Sequence, residues 1–193
     1  MSRPETDFGR VLTAMITPFD HDGELDLAGA ERMARLLVDN GNDGVVVAGT
    51  TGESPTLSHD EKLELFRAVR SALPDAVVIA GTGSNDTRAS IELSREAEKL
   101  GVDAVMAVVP YYNKPPQKSL YAHFAAIAGA IDGPLMLYNV PTRTIANLNA
   151  DTAIRLSRID NIVSKRPART SASAPRSARV RPAGSVSTPG RTA

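Results

Sequence analysis

The chain has 193 residues with no cysteine, and its 22 Lys+Arg offset 22 Asp+Glu. That length supports one domain with a sizeable core but is short for a closed eight-stranded α/β barrel, which takes about 250 residues. Disulfides, thiol nucleophiles and thiolate metal sites are excluded, no apolar run approaches the roughly 20 residues of a membrane span, and Met1–Asp7 lacks the apolar core of a secretory signal, so a cytoplasmic location is expected.

Val11–Ile16 reads as a first strand, followed by the turn Asp20-His21-Asp22-Gly23. A helix is expected from Asp26, with Leu27, Ala30, Met33, Ala34 and Leu37 on one face and Asn40-Gly41 as its stop. Val45–Ala48 is the second strand. It leads into Gly49-Thr50-Thr51-Gly52-Glu53, a loop whose glycines let backbone approach a ligand. Ser58-His59-Asp60-Glu61 is a capping box, and the helix it opens should stop before Pro74. Val77–Ala80 is the third strand, and Asn85 or Asp86 caps the next helix, which ends at Gly101. Ala104–Val109, Gln117–Ile131, Leu135–Tyr138 and Asn149–Ser157 follow as strand, helix, strand and helix, and Asn161–Val163 begins a sixth strand.

Strands about every 30 residues, each followed by one helix, imply a parallel sheet whose strands share one carboxyl end. Onto that end the sequence places Thr50, Thr51, Tyr111, Tyr112, Tyr138 and Arg143. Hydroxyl donors, proton-carrying phenols and a carboxylate-binding guanidinium on one rim suit acid–base chemistry on a small oxo acid. Gly81-Thr82-Gly83-Ser84-Asn85-Asp86 lacks the third glycine of a dinucleotide fingerprint and reads as a tight turn, so no cofactor is expected. His21, His59 and His123 are scattered and read as solvated, and no metal ligand set accompanies the rim.

The stretches Gly49-Thr50-Thr51-Gly52-Glu53-Ser54, Pro110-Tyr111-Tyr112-Asn113-Lys114-Pro115 and Tyr138-Asn139-Val140-Pro141-Thr142-Arg143-Thr144 closely resemble the 4-hydroxy-tetrahydrodipicolinate synthase (dihydrodipicolinate synthase) family. The resemblance runs from about Gly9 to Val163. It implies a TIM (β/α)8 barrel of the class I aldolase type and a lyase of lysine (diaminopimelate) biosynthesis. Such an enzyme condenses pyruvate with aspartate 4-semialdehyde through a lysine Schiff base, as a homodimer or homotetramer. By resemblance Tyr138 is the proton donor and acceptor, and Thr50 and Tyr112 complete its relay, with Tyr112 crossing a dimer interface. Thr51 binds the pyruvate carboxylate and Arg143 receives the semialdehyde carboxylate. His59, Asn85 and Tyr111 correspond to a lysine-effector site found in some members.

The chain departs from that pattern after Val163. The family's Schiff-base lysine falls three residues further on, where this chain has Arg166, and a guanidinium stays protonated and forms no imine. Lys165 is one place early, and a one-residue shift in a strand turns a side chain to the other face. Residues 1–163 hold 15 Lys+Arg and all 22 Asp+Glu, whereas residues 164–193 hold 7 Lys+Arg and no acid. The latter segment has no Ile, Leu, Met, Phe or Tyr, so it is expected to be a disordered basic tail, the mark of a reading-frame shift. The expectation is therefore an incomplete barrel of about five and a half βα units over 9–163, a tail over 164–193, and little activity. Two alternatives remain. One is a sugar-acid lyase or keto-deoxy aldolase of the same scaffold, against which Thr50 and Arg143 speak. The other is a non-enzymatic fragment whose tail touches nucleic acid; the tail has no aromatic residue to stack on bases, so nucleic acid is not the expected partner.

Overall fold

The computed structural model describes residues 7–163. Expectations for Lys165, Arg166 and the 164–193 tail lie outside them. Six strands pair in sequence order, all parallel: β1 (Leu12–Ala14), β2 (Gly44–Val47), β3 (Val77–Gly81), β4 (Ala104–Val108), β5 (Leu135–Tyr138) and β6 (Ile162–Val163). Between them run α1 (Leu27–Asp39), α2 (His59–Ala72), α3 (Thr87–Lys99), α4 (Gln117–Ala128), the single turn α5 (Pro141–Thr144) and α6 (Ala150–Leu156). A strand–helix repeat of this kind returns each strand to the same sheet in the same direction.

Capping residues fix where the helices begin. Asp26 accepts from Gly29 N at 2.7 Å, Asp86 from Arg88 N and Ala89 N, and Asn149 from Thr152 N. The capping box is complete: Ser58 Oγ accepts from Glu61 N, and the Glu61 carboxylate accepts from Ser58 N at 2.6 Å. The hydroxyl and backbone N–H of Ser58 hold the Glu61 carboxyl below the usual carboxylate range.

Strand alternation divides the apolar side chains into two sets. Val45, Val47, Val78, Ala80, Val105, Ala107, Leu135 and Ile162 join Leu65, Phe66, Val69, Phe124 and Ile127 of the helices in the main core. Val46, Ile79, Ala104 and Met136 point the other way and pack with Leu12, Met106 and Val163 on the inner face. β2 is buried on both faces, as its unbroken apolar run requires. Its glycine is obligatory: a Cβ on Gly44 would collide with the Val77 backbone carbonyl.

Four expectations need correction. The first strand is shorter than Val11–Ile16, and both of those residues are 50% exposed, because β1 has a ladder partner on one side only. α4 ends at Ala128, with Gly129 as its cap, although Ile131 still packs into the core. The turn α5 was not foreseen; Pro141 starts it, where a missing N–H costs nothing. His123 is not solvated. It is 5% exposed, its Nδ1 meets the Thr87 hydroxyl at 2.8 Å, its ring stands edge-on to Phe124, and its Nε2 has no partner among the described residues.

Burial pushes the His123 pKa down to about 4, against a weaker opposing pull from Asp86. The ring is therefore neutral in the fold, while the unfolded chain takes up a proton near pH 6.5. Stability is full above that pH and declines as pH falls toward 4, by at most about 3 kcal/mol. Urea midpoints measured from pH 7.5 to 4.5 should fall with this slope, and His123→Leu should flatten it. An unchanged slope in the variant would assign the pH dependence to other groups.

Candidate active site

A cavity of about 380 Å³ opens at the carboxyl ends of the strands. Its floor follows from the alternation described above. Ala48, Gly81, Val108 and Tyr138 each stand two residues beyond an inner-face side chain (Val46, Ile79, Met106 and Met136), and all four line the cavity, as does Met106 itself. Small residues on β2 and β3 leave the volume open. A Cβ on Gly81 would run into the Ala48 carbonyl, and one on Gly83 into the backbone of Ala107 and Val108. These glycines serve close backbone approach.

The loop after β2 supplies Thr50 and Ser54. It is anchored from beneath: the buried Thr17 hydroxyl donates to the Gly52 carbonyl at 2.6 Å, and Gly52 N and Ser54 N both donate to the Gly49 carbonyl. Ala48 (φ 49°) and Glu53 (φ 55°) bracket the loop in the left-handed region, which costs a non-glycine residue of order 1 kcal/mol. From β5 the chain turns sharply into α5. Asn139 fixes that turn, donating from Nδ2 to Asn147 and to the Leu148 carbonyl and accepting from Leu148 N at 3.1 Å. Arg143, Thr144 and Val140 thereby join the lining.

Of the residues singled out from sequence, Thr50, Tyr111, Tyr112, Tyr138 and Arg143 line one cavity. Tyr112 does so from its mouth, 87% exposed and with φ 75°. Thr51 is exposed beside Thr50 and does not line the cavity. His59 is also outside the lining, its Nε2 2.5 Å from Glu96 on α3. Asn85 reaches the Tyr111 carbonyl at 3.4 Å without lining the cavity.

The sequence reading passed over Lys62, which lines the cavity from the first turn of α2. A signal was available, since the capping box places that turn immediately after the Gly49–Glu53 loop. Burial holds the Lys62 amine below the ordinary lysine range, with Glu61 opposing. Among the described residues no carboxylate lines the cavity, whose cations are Lys62 and Arg143. The grouping with metal-like spacing, Asp20, His21 and Asp22, is exposed in the turn before α1 and takes no part.

Comparison with known proteins agrees with this architecture. Residues 7–179 match the profile of the Dihydrodipicolinate synthetase family. The 4-hydroxy-tetrahydrodipicolinate synthase of Moorella thermoacetica is 64% identical over 156 residues, which cover 80% of this chain and 53% of that protein. The lysine-bound crystal structure of the enzyme from Cyanidioschyzon merolae superposes with a TM-score of 0.81 at 51% identity, covering 84% of this chain and 57% of that one. The chloride-inhibited enzyme of Acinetobacter baumannii, complexed with pyruvate, gives a TM-score of 0.78 at 44% identity, covering 80% and 53%. The chain thus spans about half the length of the curated relatives it matches, and its six-stranded sheet is part of a TIM barrel.

The Thr17–Gly52 bond yields a stability prediction. Thr17→Val keeps the side-chain outline but leaves the buried Gly52 carbonyl without its donor, a loss of about 1–3 kcal/mol. A urea midpoint equal to that of the parent chain would show that the loop does not depend on this contact.

Proposed function

Because the chain belongs to the Dihydrodipicolinate synthetase family, we propose that its cavity is the substrate site of a 4-hydroxy-tetrahydrodipicolinate synthase, which joins pyruvate to aspartate 4-semialdehyde in lysine biosynthesis. The observation that carries this reading is the convergence of Thr50, Tyr111, Tyr112, Tyr138 and Arg143 on one cavity, with no acid in its lining among the described residues. A cavity of this kind accepts small carboxylates and supplies phenols for proton transfer.

In this proposal Tyr138, on the inner face at the end of β5, moves protons to and from the bound oxo acid. Thr50, in the same cavity lining, and Tyr112, at its mouth, complete the proposed relay. The exposure of Tyr112 fits a residue that completes its surroundings in a second copy of the chain. Thr51, next to the lining residue Thr50, is assigned the pyruvate carboxylate, and the Arg143 guanidinium takes the carboxylate of the second substrate. A lysine effector is proposed to bind at His59 and Asn85, which stand outside the lining, together with Tyr111, which lies within it.

The amine that would form the imine is the point of departure. Position 166 is arginine and the adjacent lysine is Lys165, both beyond the described residues. By resemblance the imine-forming lysine belongs at position 166, and Lys165 stands one place early, which on a continuous strand exchanges the two faces. Pro167 argues against such a strand because it cannot donate to the ladder. The proposal is accordingly a site that binds pyruvate without forming the imine, and a chain without synthase turnover.

Pyruvate binding followed by NMR, paired with borohydride trapping and peptide mapping, tests both halves. Pyruvate should bind saturably, Thr51→Val and Arg143→Ala should each weaken one of the two substrates by about tenfold or more, in keeping with the loss of one charge-assisted hydrogen bond, and no stoichiometric adduct should map to Lys165. A stoichiometric Lys165 adduct would restore the full catalytic reading. Failure of pyruvate to bind at all would remove the substrate assignment.

A further inference from the structure

Of the large apolar side chains that are exposed among the described residues, Tyr112 and Ile145 belong to the rim, whereas Val11 and Ile16 flank β1 and Leu36 stands on α1. β1 is the end strand of the sheet. Val11 O accepts from Asp43 N and Met15 N donates to Val46 O, so the odd-numbered residues bond to β2. Leu12, Ala14 and Ile16 therefore turn their N–H and C=O groups to the open side. Val11–Ile16 contains no charged residue, proline or glycine, the features that keep such an edge from pairing. α1 extends the same side outward. It packs on α2, and its right-handed turn after a right-handed crossover puts Leu27, Glu31 and Val38 on that flank. Leu36 and Asn40 fall on the opposite flank, beside the open edge, and both are exposed where Glu31 and Val38 are half-buried. Asn42 ties strand and helix together at one level: the Thr13 hydroxyl donates to its Oδ1 at 2.5 Å, and its Nδ2 donates to the Leu37 carbonyl at 2.7 Å.

A row of free peptide groups bordered by apolar side chains is a template for another strand. We propose that β1 together with α1 forms a self-association surface, on which a second copy of the chain docks about a two-fold axis with β1 antiparallel to β1 and α1 antiparallel to α1. The charges on α1 fit a second copy in that orientation. Arg32 stands one turn before Leu36 and Asp39 one turn after it, both exposed. Among the described residues Asp39 has no cation within salt-bridge distance, and Arg32 meets only Asp26, at 3.4 Å. An axis through Leu36 packs the two leucines on each other and brings Arg32 of each copy to Asp39 of the other. Through the Asn42 link the same axis passes close to Thr13, so one rotation serves both strand and helix. A parallel arrangement would instead set like charges side by side. Arg35 is engaged with Glu31 toward the α2 flank and stays out of the contact. This surface is separate from the rim that carries Tyr112, and the inference does not rest on the synthase reading.

Sedimentation velocity of the full chain over a wide range of concentration should show a monomer–dimer equilibrium that stops at two copies. Leu36→Lys should weaken it by about tenfold or more, in keeping with the loss of a central apolar contact. Arg32→Asp and Asp39→Arg should each stay monomeric where the parent chain dimerises. An equimolar mixture of those two variants should dimerise again, because the mixed pair restores opposite charges at both contacts. Unchanged helical circular dichroism is the check on folding. Amide exchange at Leu12, Ala14 and Ile16 should slow on dimerisation, and Tyr112→Ala should leave the equilibrium unchanged. A chain that stays monomeric, a mass that rises without limit, a dimer indifferent to Leu36→Lys or abolished by Tyr112→Ala, or a mixture that stays monomeric would each overturn the proposal. So would β1 amides already protected in the monomer, which would give the edge to residues 164–193 of the same chain.

Discussion

The two-residue alternation of a parallel strand is the constraint on which the rest of the structure depends. Once Val45 and Val47 face the helices, Val46 must face inward, and the same rule assigns Ile79, Met106 and Met136. Extending the count by one step brings Ala48, Gly81, Val108 and Tyr138 onto the cavity floor. Core and site are therefore not separate inventions. The register that buries the apolar side chains also decides which residues meet a ligand, and a one-residue slip in any strand would exchange the two sets.

Much of this was legible in the chain itself because the relevant signals are local. Capping residues, glycine stops and apolar periodicity mark α1, α2 and α3 to within a residue or two, and the Ser58–Glu61 box forms as its spacing requires. Thr50, Tyr112 and Tyr138 were found because they follow apolar strands, a position that sequence order reveals. Lys62 and His123 were missed for the opposite reason. Each lies on a helix, and what matters is the neighbour on another element: the cavity wall for Lys62, and Thr87 with Phe124 for His123. The α5 turn escaped because four residues carry no periodicity, and its geometry depends on Asn139 reaching forward to Asn147 and Leu148.

Backbone strain is unevenly distributed. Ala48, Glu53, Tyr112, Lys114 and Ile145 all have left-handed φ, and all lie in the loops at the carboxyl ends of the strands. Ile145 is the least comfortable, since a branched Cβ crowds its own carbonyl in that conformation. Among the described residues the opposite end of the sheet shows none but glycines; there, Asp43 accepts from Arg10 N and Val11 N and ties the chain down. Strain at one end is sustained by packing at the other, the usual division between a binding rim and its support.

The Thr17–Gly52 contact has a dynamic corollary. Thr17 stands three residues beyond the end of β1, which has three residues and a single ladder partner among the described strands, and Met15 N adds one more bond to β2. An edge of that length frays more readily than the doubly flanked strands beside it. Each fraying event would carry Thr17 away from Gly52, and the threonine loop would lose its anchor at the same moment. The lifetime of the assembled cavity is then set by an edge strand that contributes no side chain to its lining, and amide exchange in the loop should keep time with exchange in β1.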